Sequence, residues 1–247
     1  MPQAILGFVL VLTRISAFFL VVPIFSWMGI PVPVKVTAIV SLALFFSVTT
    51  PIALDPTHIS SLQSVLFTAN EATYGFALGL VASMVFSVIK FSANIAEREM
   101  GLSMAQIMDP FTGEEGEPLG GLLEMIFIIL FLSANGHHLF LEVLSRSCRA
   151  FPVGSIPTIS TLTGAVVEAS CVMFTVSLRL AGPMLAAFLV LMVAMALLAR
   201  LIPEMNIFFI SLPFKISLGL IMAAVFLPFL NEFVAEFADW MTKLVPI

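Results

Sequence analysis

The stretch Glu97–Pro118, EREMGLSMAQIMDPFTGEEGEP, interrupts a chain that is otherwise apolar from end to end. Its methionines Met100, Met104 and Met108 recur every four residues, which places them on one face if a helix continues this far. The Pro, Gly and Glu residues that follow can only form an irregular loop. The stretch therefore predicts a helix that ends at Asp109-Pro110, then a loop, then a new apolar segment.

The methionine row has two interpretations that the sequence leaves open. Methionine is flexible and polarizable, so a row of it can form a surface that adapts to changing partners, or it can fill an ordinary core. Three charges, Glu97, Arg98 and Glu99, lie beside the row, and we expect this end of the helix to lie in water or a polar lumen.

The composition of the chain indicates an integral membrane protein. Of its 247 residues, 60% are hydrophobic and 10% are charged, whereas soluble domains carry about a quarter charged residues. Several apolar runs reach the roughly 20 residues that a helix needs to cross a bilayer, so helices rather than barrel strands are expected to span it. The net charge of -5 gives no basic surface for nucleic acid. The first apolar run lacks a preceding positive region and is predicted to be a retained span.

Six nominal apolar segments predict an all-α, polytopic membrane fold. Their approximate bounds are 4–27, 36–54, 63–96, 121–144, 160–199 and 207–230, each flanked by Pro, Gly or charge. The segment 160–199 would measure about 60 Å as one helix, so we expect it to kink or fold back at Gly182-Pro183. Basic residues are almost evenly divided between the two sides, so the orientation stays open.

Four charged residues lie inside apolar segments: Arg14, Glu71, Glu168 and Arg179. A charge that faces lipid at mid-span costs at least about 2.5 to 3.5 kcal/mol, so these side chains are expected to face protein, water or one another. Glu168 and Arg179 are about 16 Å apart along a helix, too far for a direct pair. Contacts between helices are one interpretation, and a carboxylate relay in a secondary transporter is another.

The sequence contains none of the signatures that would indicate an enzyme or a cofactor site. It has no GxxxxGK[ST] phosphate loop, no HExxH and no GxSxG. Adjacent His137 and His138 point about 100° apart on a helix and do not form a metal clamp. Cys148 and Cys171 lie in no CxxC pattern. No catalytic activity, cofactor or metal is predicted.

Three motifs carry a resemblance to a known family. They are GLSMAQIMDP at 101–110, NGHHLFLEVLSRSCRAFPVG at 135–154 and RLIPEMNIFFISLPFKISLGL at 200–220. In these motifs, their order and their spacing, the chain resembles the FliR family of flagellar export-apparatus proteins, whose virulence relative is SctT. The resemblance covers essentially the whole chain, and the Asn-Gly-His-His and Pro-Glu-Met-Asn-Ile-Phe stretches favour the flagellar branch.

The resemblance implies an architecture and a set of partners. The chain would be a single membrane export-gate domain over residues 1–247, with kinked helical hairpins and a FliP-like part followed by a FliQ-like part, the boundary falling near residue 120. One copy would assemble with several copies of FliP and FliQ, next to FlhB, within the lipid of the bacterial inner membrane at the flagellar basal body. Unfolded flagellar subunits, the export substrates, would pass through the shared channel.

The resemblance also implies roles for particular residues. An internal loop would plug the closed channel, and carried onto this sequence the plug spans Gly101–Phe111. The plug residues are Gly101, Met104, Ile107, Met108, Asp109, Pro110 and Phe111. The acidic loop at 112–119 departs from the family pattern. The four intramembrane charges would find partners on neighbouring subunits. The alternatives are a secondary transporter built on Glu71 or Glu168, for which the sequence offers no internal repeat, and an SctT subunit of a virulence system.

Overall fold

The computed structural model describes residues 2–26, 30–50, 61–102, 118–154, 159–204 and 206–244. Within these residues the secondary structure is helical. The helices are α1 (Pro2–Val21), α2 (Pro23–Ser26), α3 (Val32–Thr49), α4 (Ser61–Met100), α5 (Pro118–Ser133), α6 (Gly136–Ala150), α7 (Ile159–Leu201) and α8 (Ile207–Leu244). The predicted all-α fold is confirmed.

In the described ranges, four helices are long and apolar enough to cross a membrane. They are Val32–Thr49, Leu62–Met100, Leu162–Leu201 and Phe209–Leu230. Counting α5 and α6 together as one broken span gives five. The predicted first segment is divided, because α1 ends at Val21 and α2 begins at Pro23. Proline disfavours helical geometry in the residue that precedes it, which explains the break at Val22.

The predicted segment 121–144 is also divided, between α5 and α6. Asn135 lies in the break with φ of 58°, in the left-handed region that asparagine tolerates better than most residues. The N–H of Asn135 donates to the carbonyl of Leu132 at 3.1 Å, and its own carbonyl accepts from His138 N–H at 2.9 Å. The break is therefore a hydrogen-bonded turn.

Helix α7 continues through Pro183. The sequence predicted that this segment kinks or folds back at Gly182-Pro183. The continuous helix excludes folding back. Proline removes one backbone donor, so the carbonyl of Arg179 loses its helical partner while the hydrogen-bond ladder continues on both sides. The 43 residues of α7 correspond to about 64 Å at 1.5 Å per residue. A bilayer core is about 30 Å thick, so α7 extends well beyond the length of one simple crossing.

The described helices pack as two compact units. Unit 1 comprises Met1–Val85, Leu132–Cys171 and Glu236–Ile247, and unit 2 comprises Phe86–Phe131 and Val172–Ala235. Both units contain part of α4, whose apolar window is 56% buried, whereas the windows of α3, α7 and α8 are each 11% buried. The division into a FliP-like and a FliQ-like part near residue 120 stays a prediction.

In unit 1, helix α1 packs closely against α4 through two glycines spaced by four residues. A Cβ atom on Gly75 would collide with the backbone carbonyl of Arg14 and lie 2.9 Å from Ala17 Cβ. A Cβ on Gly79 would lie 2.9 Å from Val21 Cβ. Small residues at this spacing let two membrane helices approach until their backbones touch. The contact between α1 and α4 therefore depends on these glycines.

In unit 2, aromatic rings and a methionine form the core. Phe86 of α4 packs edge-on against Phe127 and Phe131 of α5, with ring centroids 5.5 and 5.6 Å apart. Met100, the last residue of α4, is fully buried, and its side chain fills the space that a Cβ on Gly219 would need. The first methionine of the row is therefore a core residue.

We predict that Gly75→Ala will destabilise the protein by about 1–3 kcal/mol, because the added methyl overpacks a backbone contact. The matched control is Gly121→Ala, also within a helix, where a Cβ would meet nothing within 4 Å. That change is expected to be neutral or to stabilise by up to about 1 kcal/mol through helix propensity. Unfolding by sodium dodecyl sulfate in mixed micelles measures both; equal effects at the two sites would refute the close contact.

Candidate functional site

A buried ion pair joins α1 to α4. Arg14 Nε donates to Glu71 Oε2 at 2.5 Å, and both side chains are completely inaccessible to solvent. The two residues are 57 positions apart in the chain. An isolated buried charge costs several kcal/mol, so neither residue could occupy this place without the other.

Arg14 also caps the end of α6. Its Nη1 donates to the carbonyls of Ser147 and Phe151, at 3.4 and 3.1 Å, and lies 3.7 Å from the sulfur of Cys148. The last carbonyls of a helix lack partners within it and carry a partial negative charge. The carbonyl of Ser147 already accepts the Phe151 N–H at 2.9 Å, so the guanidinium adds a second donor there and bonds the Phe151 carbonyl while it pairs with α4.

The second oxygen of the carboxylate anchors the chain beyond α6. Glu71 Oε1 accepts a hydrogen bond from Gly154 N–H at 2.9 Å. The ring of Tyr74, one helical turn along α4, lies 4.9 Å from Arg14 Cζ, within the range of a cation–π contact. Arg14 Nη2 and the Tyr74 hydroxyl are buried and have no hydrogen-bond partner among the described residues.

This network assigns Arg14 and Glu71 to contacts between helices of one chain. The resemblance implied partners on neighbouring subunits, whereas the structure makes the two residues each other's partners and leaves neither side chain exposed. The transporter interpretation needs a carboxylate that exchanges its proton, but both oxygens of Glu71 are held by donors. The reason the sequence did not reveal the pair is its separation of 57 residues.

The other two intramembrane charges are placed differently. Glu168 and Arg179 are both exposed on α7. Neither forms a hydrogen bond or ion pair within the part of the chain that the structure describes. Because a charge facing lipid is costly, this face of α7 is a poor surface for contact with acyl chains. Their role in subunit contacts stays a prediction.

Helix α4 ends at Met100, earlier than the sequence predicted. Gly101 has φ of 80°, a left-handed conformation that glycine adopts without steric cost. Its N–H donates to the carbonyl of Arg98 at 3.1 Å, and Leu102 N–H donates to the carbonyl of Glu97 at 3.2 Å. These two bonds form a Schellman motif, a common helix terminator.

Glu97, one of three adjacent charges, is buried rather than in water. Its side chain is 3% exposed, whereas that of Arg98 is exposed. Its Oε1 accepts hydrogen bonds from the backbone N–H groups of Leu119 and Gly120, the latter at 2.8 Å, at the start of α5. The sequence reasoning missed this role, because nothing in Glu-Arg-Glu indicates which charge turns inward.

Of the predicted plug residues, the structure describes Gly101. The others lie outside the described residues. They are Met104, Ile107, Met108, Asp109, Pro110 and Phe111. Leu102 N–H, directly after α4, donates to the backbone carbonyl of Glu97, and Leu119 N–H, in the first turn of α5, donates to the Glu97 side chain.

Taken together, the fold and the site define a polytopic, all-α membrane protein whose inner charges serve helix packing. The chain belongs to the bacterial export proteins, family 1, whose model matches residues 5–241. The resemblance drawn from the three motifs is thereby confirmed.

Individual relatives match the chain over most of its length. The flagellar biosynthetic protein FliR of Bacillus subtilis is 28% identical over 89% of this chain and 85% of its own. FliR of Escherichia coli is 27% identical over 90% of this chain and 84% of its own. The Yop proteins translocation protein T of Yersinia pestis is 25% identical over 91% of this chain and 87% of its own.

We predict that Arg14→Leu or Glu71→Leu alone will destabilise the protein by about 3–5 kcal/mol, because each leaves an uncompensated buried charge. The double replacement removes both charges, so its cost should be well below the sum of the two single costs. Unfolding in mixed micelles provides the measurement. The control pair is Arg146 and Glu142, partly exposed one turn apart on α6, where Arg146→Leu should cost no more than about 0.5 kcal/mol. Additive costs for Arg14 and Glu71 would contradict the pairing.

Proposed function

We propose that this chain is a subunit of the flagellar type III protein export gate in the bacterial inner membrane. The observation that carries the proposal is the family match over residues 5–241, together with FliR relatives that align over most of both chains. The family and these relatives' names concern export and flagellar biosynthesis. The function is that of a passage for unfolded flagellar subunits, without chemistry performed by the chain.

The surface of the chain supports membership of a larger assembly. The apolar windows of α3, α7 and α8 are each 11% buried within the chain. Lipid could cover such apolar surfaces, but acyl chains would not stabilise the charges of Glu168 and Arg179, which are exposed on α7. Helices of other proteins with compensating polar groups would stabilise these charges. The partners we propose are several copies of FliP and FliQ around one copy of this chain, with FlhB adjacent.

The flagellar assignment, rather than a virulence one, rests on the motifs. The sequence identities do not strongly distinguish the flagellar branch from the virulence branch. FliR of Escherichia coli is 27% identical to this chain, and the Yersinia pestis translocation protein T is 25% identical. The stretches Asn135–His138 and Pro203–Phe208 favour the flagellar branch. In a flagellated host that lacks its own FliR, the chain should restore swimming; restoration of virulence secretion alone would reverse the assignment.

The composition of the purified complex tests the proposed function directly. The chain, tagged and extracted in mild detergent from a cell that makes the flagellar apparatus, should bring FliP and FliQ with it in fixed proportion. A lone monomer that binds a small solute with an affinity dependent on Glu71 would overturn the proposal in favour of a transporter.

We predict that replacing the two exposed charges of α7 will impair assembly without impairing the chain itself. Glu168→Leu and Arg179→Leu should reduce co-purifying FliP and FliQ at least about fivefold, because polar groups on a partner helix lose their counterpart. Leu189→Ala, at a residue on the same helix that is 64% exposed, is the control and should retain the partners. Unchanged co-purification in both charge variants would remove these residues from the subunit contacts.

The plug proposal concerns Gly101–Phe111. Deleting residues 108–113 should let ions leak through the assembled complex, because the segment would no longer fill the channel. The measurement is ion conductance of membranes that contain the complex. A chain in which the same six residues become alternating Gly and Ser separates the loss of side chains from the loss of length. Conductance that matches the unaltered complex in both variants would reject the plug assignment.

A further inference from the structure

A cleft in unit 2 lies between α7 and α8. Its volume is about 210 Å³. Met184 and Phe226, which line it, are buried, whereas Val225 and Phe229, which also line it, are 56 and 54% exposed. The cleft therefore has a buried floor and opens at the surface of the chain. Among the described residues that line it, Arg179 is the only charged one, and the others are apolar.

The size of the cleft fits one large apolar side chain. A dry cavity of about 150 Å³ accepts a single benzene ring, so this cleft accommodates the ring of a phenylalanine or the branched end of a leucine. Sites for small molecules usually start at about 300 Å³. Along α8 the lining runs from Met222 to Phe229, which is about 10 Å of helix. An acyl chain crosses about 15 Å in one leaflet, so the cleft is too short to hold one along its length.

Arg179 contributes two polar groups beside the cleft, a guanidinium and a backbone carbonyl. The guanidinium forms no hydrogen bond or ion pair within the described part of the chain. The carbonyl lacks the usual helical donor, because Pro183, which also lines the cleft, has no N–H. A group that fills the cleft at membrane depth must therefore bring a negative charge to Arg179.

The surface of α7 next to the cleft lets a second helix come close. Gly182 and Ala186 follow Arg179 by three and seven positions, so the three residues lie on one face. A Cβ on Gly182 would meet nothing within 4 Å, and Ala186 is exposed. Small residues let the backbones of two membrane helices approach each other. A helix that carries a carboxylate is complementary to the small face, the cleft and the charge together.

We propose that the cleft between α7 and α8 binds a helix of a partner subunit of the export gate. That helix inserts one Phe or Leu side chain into the cleft and places an Asp or Glu carboxylate, one helical turn away, against the guanidinium of Arg179. The inference rests on the proposed function, from which it takes the partner. It adds the surface of this chain that the partner helix occupies and the chemistry by which that helix is recognised.

Filling the cleft from within tests the apolar contact. In the complex purified in mild detergent, Val225→Trp should reduce co-purifying FliP or FliQ at least about fivefold, because the indole takes the space of the partner's side chain. The matched control is Leu220→Trp, also on α8, at a residue that is 55% exposed and lies about 140° around the helix from Val225. Unfolding in mixed micelles should show both variants to be as stable as the unaltered chain. Equal recovery of partners in the two variants would overturn the proposal.

Reversing the charge tests the carboxylate. Arg179→Glu should reduce the same partner at least about tenfold, because two carboxylates would repel at the contact, and Arg179→Lys should retain more of it. Mutations that restore swimming to the Arg179→Glu strain should replace an Asp or Glu in a helix of FliP or FliQ by Lys or Arg. Restoring mutations found within this chain alone would contradict the contact.

Two further outcomes separate this inference from the proposed function and from lipid binding. If the unaltered chain recovers FliP and FliQ and the Val225→Trp and Arg179→Glu variants recover them equally well, the cleft assignment fails and the proposed function stands. If the unaltered chain recovers neither partner, the proposed function fails and the cleft assignment with it. Mass spectrometry of the complex tests for lipid: loss of a bound anionic phospholipid in Arg179→Glu, with full recovery of partners, would make the cleft a lipid site and overturn the proposal.

Discussion

The Arg14–Glu71 pair is the constraint on which the packing of unit 1 depends. A buried pair repays the cost of desolvating its charges only when further hydrogen bonds satisfy the remaining donors and acceptors. Here the guanidinium bonds carbonyls at the end of α6, and the second carboxylate oxygen bonds Gly154 N–H. The pair thereby joins α1, α4 and α6 to the chain that follows α6. The ion pair therefore fixes the positions of these helices relative to one another.

The glycines of α4 and the ion pair act on one helix face. Glu71, Gly75 and Gly79 are spaced by four residues, so they share the face that meets α1. Larger side chains at the glycines would separate the helices and lengthen the 2.5 Å contact between Arg14 and Glu71. In a membrane, where helices gain little from apolar burial, close packing and polar contacts of this kind provide the association energy.

The sequence predicted the features of the fold that depend on residues close together in the chain. Apolar runs predicted the helices, and Pro and Gly predicted where several of them end. Contacts between distant residues were not accessible, and for that reason the Arg14–Glu71 pair and the cap by Glu97 were missed. The end of α4 was misjudged for a different reason. The methionine period suggested a continuing helix, while Gly101, a recognised C-terminal signal, was available in the sequence and outweighs periodicity.

The charges of this chain fall into two groups with different consequences. Arg14, Glu71 and Glu97 are buried and form hydrogen bonds with groups of the chain itself, at helix ends and between helices. Glu168 and Arg179 are exposed on α7. If lipid alone surrounded the chain, the exposed charges of the second group would carry the free-energy cost of facing acyl chains. The charges of the first group avoid this cost because they are buried within the chain. A fold that pairs its inner charges with its own groups, yet presents others outward, is consistent with one component of an assembly whose remaining contacts are made by other subunits.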